Sequence, residues 1–129
     1  MKAAIVSIGT ELTDGQILNS NATWISKELK SRGLTVTCHL AVPDDFSLML
    51  QALRYADLGA DLLFVTGGLG PTSDDFTRDV IAKWCNRDLV LHEPSWDNLK
   101  TFFASLGREP HDIQKQQCYF PQDAEILLN

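Results

Sequence analysis

The chain has 129 residues, of which 44% are hydrophobic and 22% are charged, a composition typical of a globular protein with one core. Its formal net charge of −6 argues against general nucleic-acid binding, which requires basic patches. No apolar run approaches the roughly 18 residues of a membrane span, and Met1 leads into an apolar run without signal-peptide architecture, so we expect a cytoplasmic protein.

The cysteines and histidines are too scattered to indicate a site. The cysteines are odd in number and form no C-x-x-C pair, which predicts reduced, structural thiols. The histidines are equally dispersed, so a zinc site is not expected. These residues are Cys38, Cys85, Cys118, His39, His92 and His111.

Strands and helices alternate in the first half of the chain. Residues 3–8 (AAIVSI) are almost wholly apolar, which predicts a central strand of a parallel sheet, and residues 9–12 predict a turn. A helix then begins among capping residues near Asn19 and ends at Arg32-Gly33. The next predicted elements are a strand at 36–42, a helix that starts after Pro43-Asp44-Asp45 and ends at Gly59, and a strand at Leu62–Thr66.

The second half continues this alternation. It predicts a helix from about Phe76, an irregular segment or short strand at 86–92, a helix at 111–118 and a strand at 125–128. Between them lies a helix with an aromatic stripe, which is typical of a core or a subunit interface. The stripe comprises Trp96, Leu99, Phe102, Phe103 and Leu106.

This order of elements implies a three-layer α/β/α fold with a mostly parallel sheet and right-handed crossovers. The sequence contains no repeat, low-complexity tract or linker. We therefore expect residues 1–129 to form a single domain.

The most informative segment is a glycine-rich turn between a strand and a helix. Its residues are Gly67, Gly68, Gly70, Pro71, Thr72, Ser73, Asp74, Asp75 and Thr77. Glycines let a ligand approach the backbone, and the free N–H groups of a first helical turn can bind a phosphate or another anion. Neither a Walker A loop, which needs a lysine, nor the Rossmann glycine pattern fits. The structural alternative is a tight turn in which Asp74 or Asp75 caps the helix.

The adjacent aspartates limit how this loop can hold a phosphate. A phosphate about 4 Å from an ionised aspartate is repelled by about 4 kcal/mol at an effective dielectric of about 20. A helix N-terminus stabilises a bound anion by only about 0.3–1 kcal/mol, or by about 2 kcal/mol when the site is partly buried. Either one aspartate turns away to cap the helix, or a divalent cation such as Mg²⁺ bridges carboxylate and phosphate.

Three loops should meet at one edge of the sheet, because ligands of such folds bind beyond the carboxyl ends of parallel strands. These loops are residues 9–12, 43–45 and 67–77. Their polar side chains are Thr10, Glu11, Asp44, Asp74 and Asp75. Taken singly, Glu11 can be a solvated turn residue and Asp44 a helix cap.

These motifs resemble the molybdopterin-binding-like (MogA/MoaB-like) domain family, which is shared by molybdenum-cofactor biosynthesis proteins and by CinA (competence/damage-inducible) proteins. The resemblance covers nearly the whole chain. It is carried by S-I-G-T-E-L at 7–12, G-Q-I at 15–17 with Asn19 and Asn21, V-P-D at 42–44, and T-G-G-L-G-P-T-S-D-D-F-T at 66–77. The combination of the first and last motifs looks like the CinA branch, because the cofactor enzymes usually have Ser-Asp and G-G-T-G at these places.

The resemblance implies a MogA-like α/β/α domain that binds a mononucleotide or pterin and forms a homo-oligomer. In the cofactor enzymes, the domain adenylylates molybdopterin with ATP and a divalent ion, and the acids that match Asp44 and Asp75 are catalytic. CinA-type domains are associated instead with hydrolysis of ADP-ribose to AMP and ribose 5-phosphate. Both reactions make or break a pyrophosphate bond at an adenylyl phosphorus.

We therefore predict an ADP-ribose pyrophosphatase that uses Mg²⁺ or Co²⁺, with Asp44 and Asp75 catalytic and with Asp74 and Asp75 holding the cation. The predicted nucleotide- and phosphate-binding residues are Gly9, Thr10, Glu11, Gly67, Gly68, Gly70, Pro71, Thr72 and Thr77. The alternatives are adenylyl transfer to molybdopterin and a non-catalytic nucleotide- or pterin-binding module; nucleic-acid and membrane partners are not expected.

The resemblance also bears on the end of the chain. The family continues past the strand at 125–128 into another glycine-rich loop that helps to close the site, whereas this sequence ends at Asn129. We therefore expect a C-terminally truncated domain. Because the family's final loop is not in this sequence, the non-catalytic binding module is favoured among the alternatives.

Overall fold

The computed structural model describes residues 1–127, and strands and helices alternate along them. The chain divides into two units, Met1–Gly68 and Leu69–Asn129. The elements of the first unit are β1 (Lys2–Ile8), α1 (Thr10–Thr13), α2 (Ser20–Ser31), β2 (Thr35–Val42), α3 (Phe46–Asp57) and β3 (Leu62–Thr66). Those of the second are α4 (Thr77–Cys85), β4 (Leu89–Leu91), α5 (Glu93–Ser105), a 3₁₀ helix (Asp112–Cys118) and β5 (Tyr119–Pro121).

The sheet of the first unit has the order β2-β1-β3, and both pairs are parallel. Strand β1 runs beside β2 as far as the pair Ile8–Val42, and beside β3 as far as the pair Ser7–Thr66. Every residue of β1 after Lys2 is buried. The predicted central strand of a parallel sheet is therefore confirmed.

Helices cover both faces of β1. Helix α2 packs Ala22 and Leu29 against Ala3 and Ile5, and successive residues of a strand point to opposite faces. Helix α3 contacts β1 as well and buries its own apolar stripe. That stripe comprises Met49, Ala52, Leu53 and Ala56. This unit is the predicted α/β/α arrangement of helix, sheet and helix layers.

The helix boundaries of the first unit follow from their capping residues. The Asn19 side chain accepts a hydrogen bond from the Ala22 N–H at 3.2 Å and starts α2, and Asp45 accepts one from the Leu48 N–H at 2.9 Å and starts α3. The predicted stop after α2 is confirmed, because Gly33 has a positive φ of 79°.

The second unit contains a small antiparallel sheet. Strand β4 pairs with β5 from Leu89–Pro121 to Leu91–Tyr119. Helix α4 buries Val80 and Ala82 and ends at Asn86, whose φ of 53° is left-handed. The predicted short strand within 86–92 is thus confirmed.

Two predictions of local structure were wrong, and a third is confirmed in part. Residues 10–13 form one helical turn after Gly9 instead of an irregular turn. The predicted helix at 111–118 is present at Asp112–Cys118, but it is a 3₁₀ helix with i→i+3 bonds. The last strand is Tyr119–Pro121, because β4 supplies its hydrogen-bond partners and aromatic residues suit a strand. Residues 125–127 have no regular structure, and residue 128 of the predicted strand lies outside the described residues.

The aromatic stripe of α5 is not a core, since no residue of this helix is fully buried within the chain. Phe102 and Leu106 are 58% and 56% exposed. The subunit-interface interpretation stays a prediction. All three cysteines are free; Cys118 is buried, Cys38 is half-buried and Cys85 is exposed.

Candidate functional site

The carboxyl ends of the three parallel strands form the polar edge of the first unit. The Gly9 N–H donates to the Val42 carbonyl at 2.9 Å, which joins the end of β1 to the end of β2. On the other side of β1, Gly67 has a φ of 91°, and a Cβ at this position would overlap the Ile8 carbonyl oxygen. Gly67 therefore allows the backbone after β3 to approach β1.

Thr10 and Asp44 are bound to each other at this edge. The Thr10 N–H and hydroxyl donate to Oδ2 of Asp44 at 3.0 and 3.1 Å. The Asp44 N–H donates in turn to the Thr10 hydroxyl at 3.2 Å. Within residues 1–127, Oδ1 of Asp44 accepts no hydrogen bond, so the threonine fixes the carboxylate by one oxygen only. Asp45 is the cap of α3, which leaves Asp44 for this contact.

Glu11 and the glycines complete the predicted residues of the first unit. Glu11 is exposed in α1, and its carboxylate lies over Gly9, where an added Cβ would come within 2.5 Å of Oε1. Gly68 has a φ of 61°, which favours glycine.

The second unit begins with the rest of the glycine-rich loop, residues 69–76, and here Asp75 folds back on Thr72. The Thr72 N–H and hydroxyl donate to Oδ2 of Asp75 at 3.1 and 2.6 Å, and the Asp75 N–H donates to the Thr72 carbonyl at 3.0 Å. The same threonine–carboxylate pairing thus occurs in both units. A Cβ at Gly70 would come within 2.5 Å of Oδ2, so a glycine here leaves room for the carboxylate.

Neither aspartate is the N-cap of α4, because Phe76 occupies that position. The alternative of a capping Asp74 or Asp75 is therefore wrong: Asp75 uses its carboxylate within the loop, and Asp74 is exposed without a hydrogen bond to any residue from 1 to 127. Pro71 is half-buried, whereas Thr77, the first residue of α4, is buried.

The surroundings of Asp75 favour its ionised form. The Thr72 hydroxyl hydrogen bond lowers the pKa of this carboxyl, the Thr72 and Gly70 amides and the Arg78 charge act in the same direction, and partial burial opposes them. Asp75 is therefore a carboxylate at neutral pH.

Arg78 is the residue that sequence reasoning missed. It is only 8% exposed, and its Nη1 and Nη2 donate to the carbonyls of Leu69 and Gly70 at 3.0 and 3.1 Å. The sequence contained an indication of its role: a cation in the first turn of a helix interacts unfavourably with the helix dipole, so its presence there requires another explanation.

The loop carboxylates fit a cation that arrives with a ligand. No group of three or more His, Cys, Asp or Glu side chains converges on a metal position within the described part of the chain. Mg²⁺ commonly uses only one or two protein carboxylates and takes its other ligands from phosphate oxygens and water. The exposed Asp74 carboxylate meets this requirement; Asp75 already binds Thr72 through Oδ2.

The fold and the polar edge define an α/β protein of the class that holds a small molecule beyond the carboxyl ends of parallel strands. Residues 4–121 match the family described as "Probable molybdopterin binding domain". The chain belongs to this family, and within it the chain is CinA-like.

Two relatives and two solved structures support this assignment. A competence-damage inducible protein of Clostridium botulinum is 42% identical over 129 residues, which are all of this chain and 32% of the relative. The corresponding protein of Alkaliphilus metalliredigens is 44% identical and is covered to 31%. The chain thus spans about a third of the length of the curated relatives it matches.

The structure of a CinA protein "with unknown function" from Thermoplasma acidophilum is 31% identical, with a TM-score of 0.80 over 94% of this chain and 70% of that one. The tungsten cofactor synthesizing protein MoaB from Pyrococcus furiosus is 30% identical, with a TM-score of 0.60 over 64% of this chain and 51% of that one. Between residues 1 and 127, no helix is long and apolar enough to cross a membrane.

Proposed function

We propose that this chain is the nucleotide-binding part of a metal-dependent pyrophosphatase that hydrolyses ADP-ribose to AMP and ribose 5-phosphate. The observation that carries the proposal is the repeated pairing of a threonine with a proposed catalytic carboxylate. Thr10 holds Asp44, and Thr72 holds Asp75, each through the carboxylate oxygen Oδ2. Holding a carboxylate by one oxygen orients it and leaves the other oxygen for a water, a cation or a substrate.

Asp44 is the proposed base. Its Oδ1, which accepts no hydrogen bond from residues 1–127, would receive a proton from a water molecule that attacks the adenylyl phosphorus. The bond between that phosphorus and the bridging oxygen breaks, and the bridging oxygen leaves with ribose 5-phosphate. The water oxygen remains on AMP.

Asp74 and Asp75 are the proposed cation contacts. Since hydrogen bonding by Thr72 lowers the pKa of Asp75, this side chain stays ionised at neutral pH and suits a charge-pairing role better than proton uptake. A bound Mg²⁺ or Co²⁺ would offset the repulsion between these aspartates and the diphosphate.

The remaining predicted residues would bind the nucleotide. Thr10 and Glu11 would line the nucleotide side of the first unit, where Gly67 brings its backbone close to Ile8 at the end of β1. Gly68, which has a positive φ, would take part in the same turn. The proposed phosphate-binding residues of the second unit are Gly70, Pro71, Thr72 and Thr77.

The test is AMP release from ADP-ribose, with and without Mg²⁺ or Co²⁺. Asp44→Asn should lower kcat by about 10²–10⁴-fold, the usual contribution of general acid–base catalysis. Asp75→Asn should lower the metal-dependent kcat as well, because it removes a proposed contact to the cation. Asp57→Asn and Asp88→Asn are matched controls, because these aspartates are exposed, and they should stay within about twofold of the wild type. Unchanged turnover in both Asp44→Asn and Asp75→Asn would remove these acids from the mechanism.

The same assay should include a longer form of the protein, because the relatives extend well beyond the matched region. Turnover in the longer form alone would mean that the site requires residues outside this sequence. Absence of turnover in both forms, with both folded, would refute the pyrophosphatase proposal.

A second candidate is adenylyl transfer to molybdopterin, which is favoured by the family description and by the likeness to a tungsten-cofactor protein. Added molybdopterin should then accelerate ATP consumption, whereas hydrolysis of ADP-ribose needs only water. A non-catalytic module would bind AMP or a pterin without turnover. Light scattering tests the homo-oligomer that we also propose.

A further inference from the structure

Arg78 is a buried cation that does not pair with an acidic side chain. It is 8% exposed, and no carboxylate among residues 1–127 lies within ion-pair distance of it. Burying a charge is costly unless hydrogen bonds satisfy it. Arg78 meets this need through the Leu69 and Gly70 carbonyls, at 3.0 and 3.1 Å. The buried charge of Arg78 is therefore stabilised by the backbone of the glycine-rich loop.

The two carbonyls determine where the loop amides point. All peptide bonds of the described chain are trans, and in a trans peptide the C=O and N–H point in opposite directions. Because Nη1 holds the Leu69 carbonyl, the Gly70 N–H of the same peptide points away from the guanidinium. The Gly70 amide is also one of the groups that lower the pKa of Asp75. The next peptide offers Arg78 only its carbonyl, because Pro71 has no N–H.

Glycine makes such a clamp necessary. Gly70 has no Cβ to restrict its backbone, and the space that a Cβ would fill is taken by Asp75. Glycine at position 70 therefore leaves room for the Asp75 carboxylate, but it also leaves the adjacent peptides free to rotate. Another group is needed to fix these peptides.

We propose that Arg78 is a positioning residue that locks the two peptides on either side of Gly70 and thereby holds this part of the loop against the Asp75 carboxylate. Its effect on turnover rests on the proposed function, whereas its effect on the loop does not. Arg78 also lines a cavity of about 190 Å³ together with Asp79, Leu89, Gln116 and Tyr119. A small cation can therefore reach the guanidinium position if the side chain is removed.

The experiment compares the wild type with Arg78→Ala, alone and with millimolar guanidinium, and with Arg78→Lys. Amide hydrogen exchange of residues 69–75 and kcat and KM for ADP-ribose are measured on each. Arg78→Ala should speed exchange in this segment by about 10-fold and lower kcat by about 10–100-fold with little change in KM. Guanidinium should partly restore both, and lysine should be intermediate, because an ammonium lacks the planar fork that reaches two carbonyls.

Arg87→Ala is the matched control, since Arg87 is exposed in the same unit, and it should behave as the wild type. If Arg78→Ala does not fold, Arg78→Lys and Arg78→Gln carry the test, and wild-type exchange and kcat in both would overturn the proposal. So would losses in Arg78→Ala that guanidinium does not restore. A wild type without turnover, whose loop exchange still responds to Arg78→Ala and to guanidinium, would refute the pyrophosphatase but not the positioning role.

Discussion

Replacing Gly67 by alanine should destabilise the protein far more than the addition of one methyl group normally does. Gly67 has a φ of 91°, a region that L-residues with a side chain rarely adopt. The new Cβ would also overlap the Ile8 carbonyl oxygen. Ile8 cannot yield easily, because it belongs to β1 and pairs with Val42 of β2.

The size of the effect follows from these two contributions. A left-handed conformation costs a non-glycine residue about 1–2 kcal/mol, and forcing atoms into a packed region costs about 1–3 kcal/mol. Together they predict a loss of about 2–5 kcal/mol in the free energy of unfolding. At about 4 °C per kcal/mol for a domain of this size, Tm should fall by about 8–20 °C.

The measurement is urea unfolding followed by circular dichroism, with a thermal melt in parallel. Gly59→Ala is the matched control, because no atom lies within 4 Å of its added Cβ and its φ is not positive. This control should match the wild type or gain about 0.4–1 kcal/mol. A Gly67→Ala protein whose Tm lies within about 2 °C of the control would refute the close approach of Gly67 to Ile8.

Three other substitutions test contacts described above by chemical unfolding. Thr72→Val removes a hydrogen bond that lowers the folded-state pKa of Asp75. The stabilisation that this lowered pKa gives the folded protein is present above the unfolded pKa and disappears as pH falls through the folded pKa. The variant should therefore be less stable than the wild type at pH 7, and the difference should vanish in acid. Asp45→Ala removes the cap of α3 and should cost about 0.5–2 kcal/mol, whereas Ser47→Ala should cost much less. Met49→Ala should cost about 2–5 kcal/mol, because Met49 is 1% exposed; a cost below about 1 kcal/mol would contradict its place in the core.

Elements with a strong apolar pattern were predictable from the sequence. The predicted strand Leu62–Thr66 has the observed bounds, and the predicted strand at 3–8 is one residue shorter than β1. An apolar run of this length bounded by glycine turns has few alternatives in an α/β chain. The last strand was misplaced because residues 125–128 carry the stronger apolar run, while pairing with β4 selects Tyr119–Pro121.

Choices between adjacent residues were not predictable. Asp44 and Asp45 are equally good capping residues, and only the direction in which the chain leaves β2 assigns Asp45 to α3 and Asp44 to Thr10. Asp74 and Asp75 differ in the same way: the turn at Thr72 brings one carboxylate inward and leaves the other exposed. Such assignments depend on backbone geometry that residue types alone do not specify.

The position of β1 between β2 and β3 has a consequence for the growing polypeptide. Strand β1 is synthesised before both of its neighbours and lies between them in the sheet, and its second neighbour, Leu62–Thr66, follows only after β2 and α3. Until then, one edge of AAIVSI offers unpaired N–H and C=O groups to other chains, which is an aggregation hazard. Ribosome-bound chains that end before β3 should therefore depend on chaperones more than chains that extend beyond Gly68.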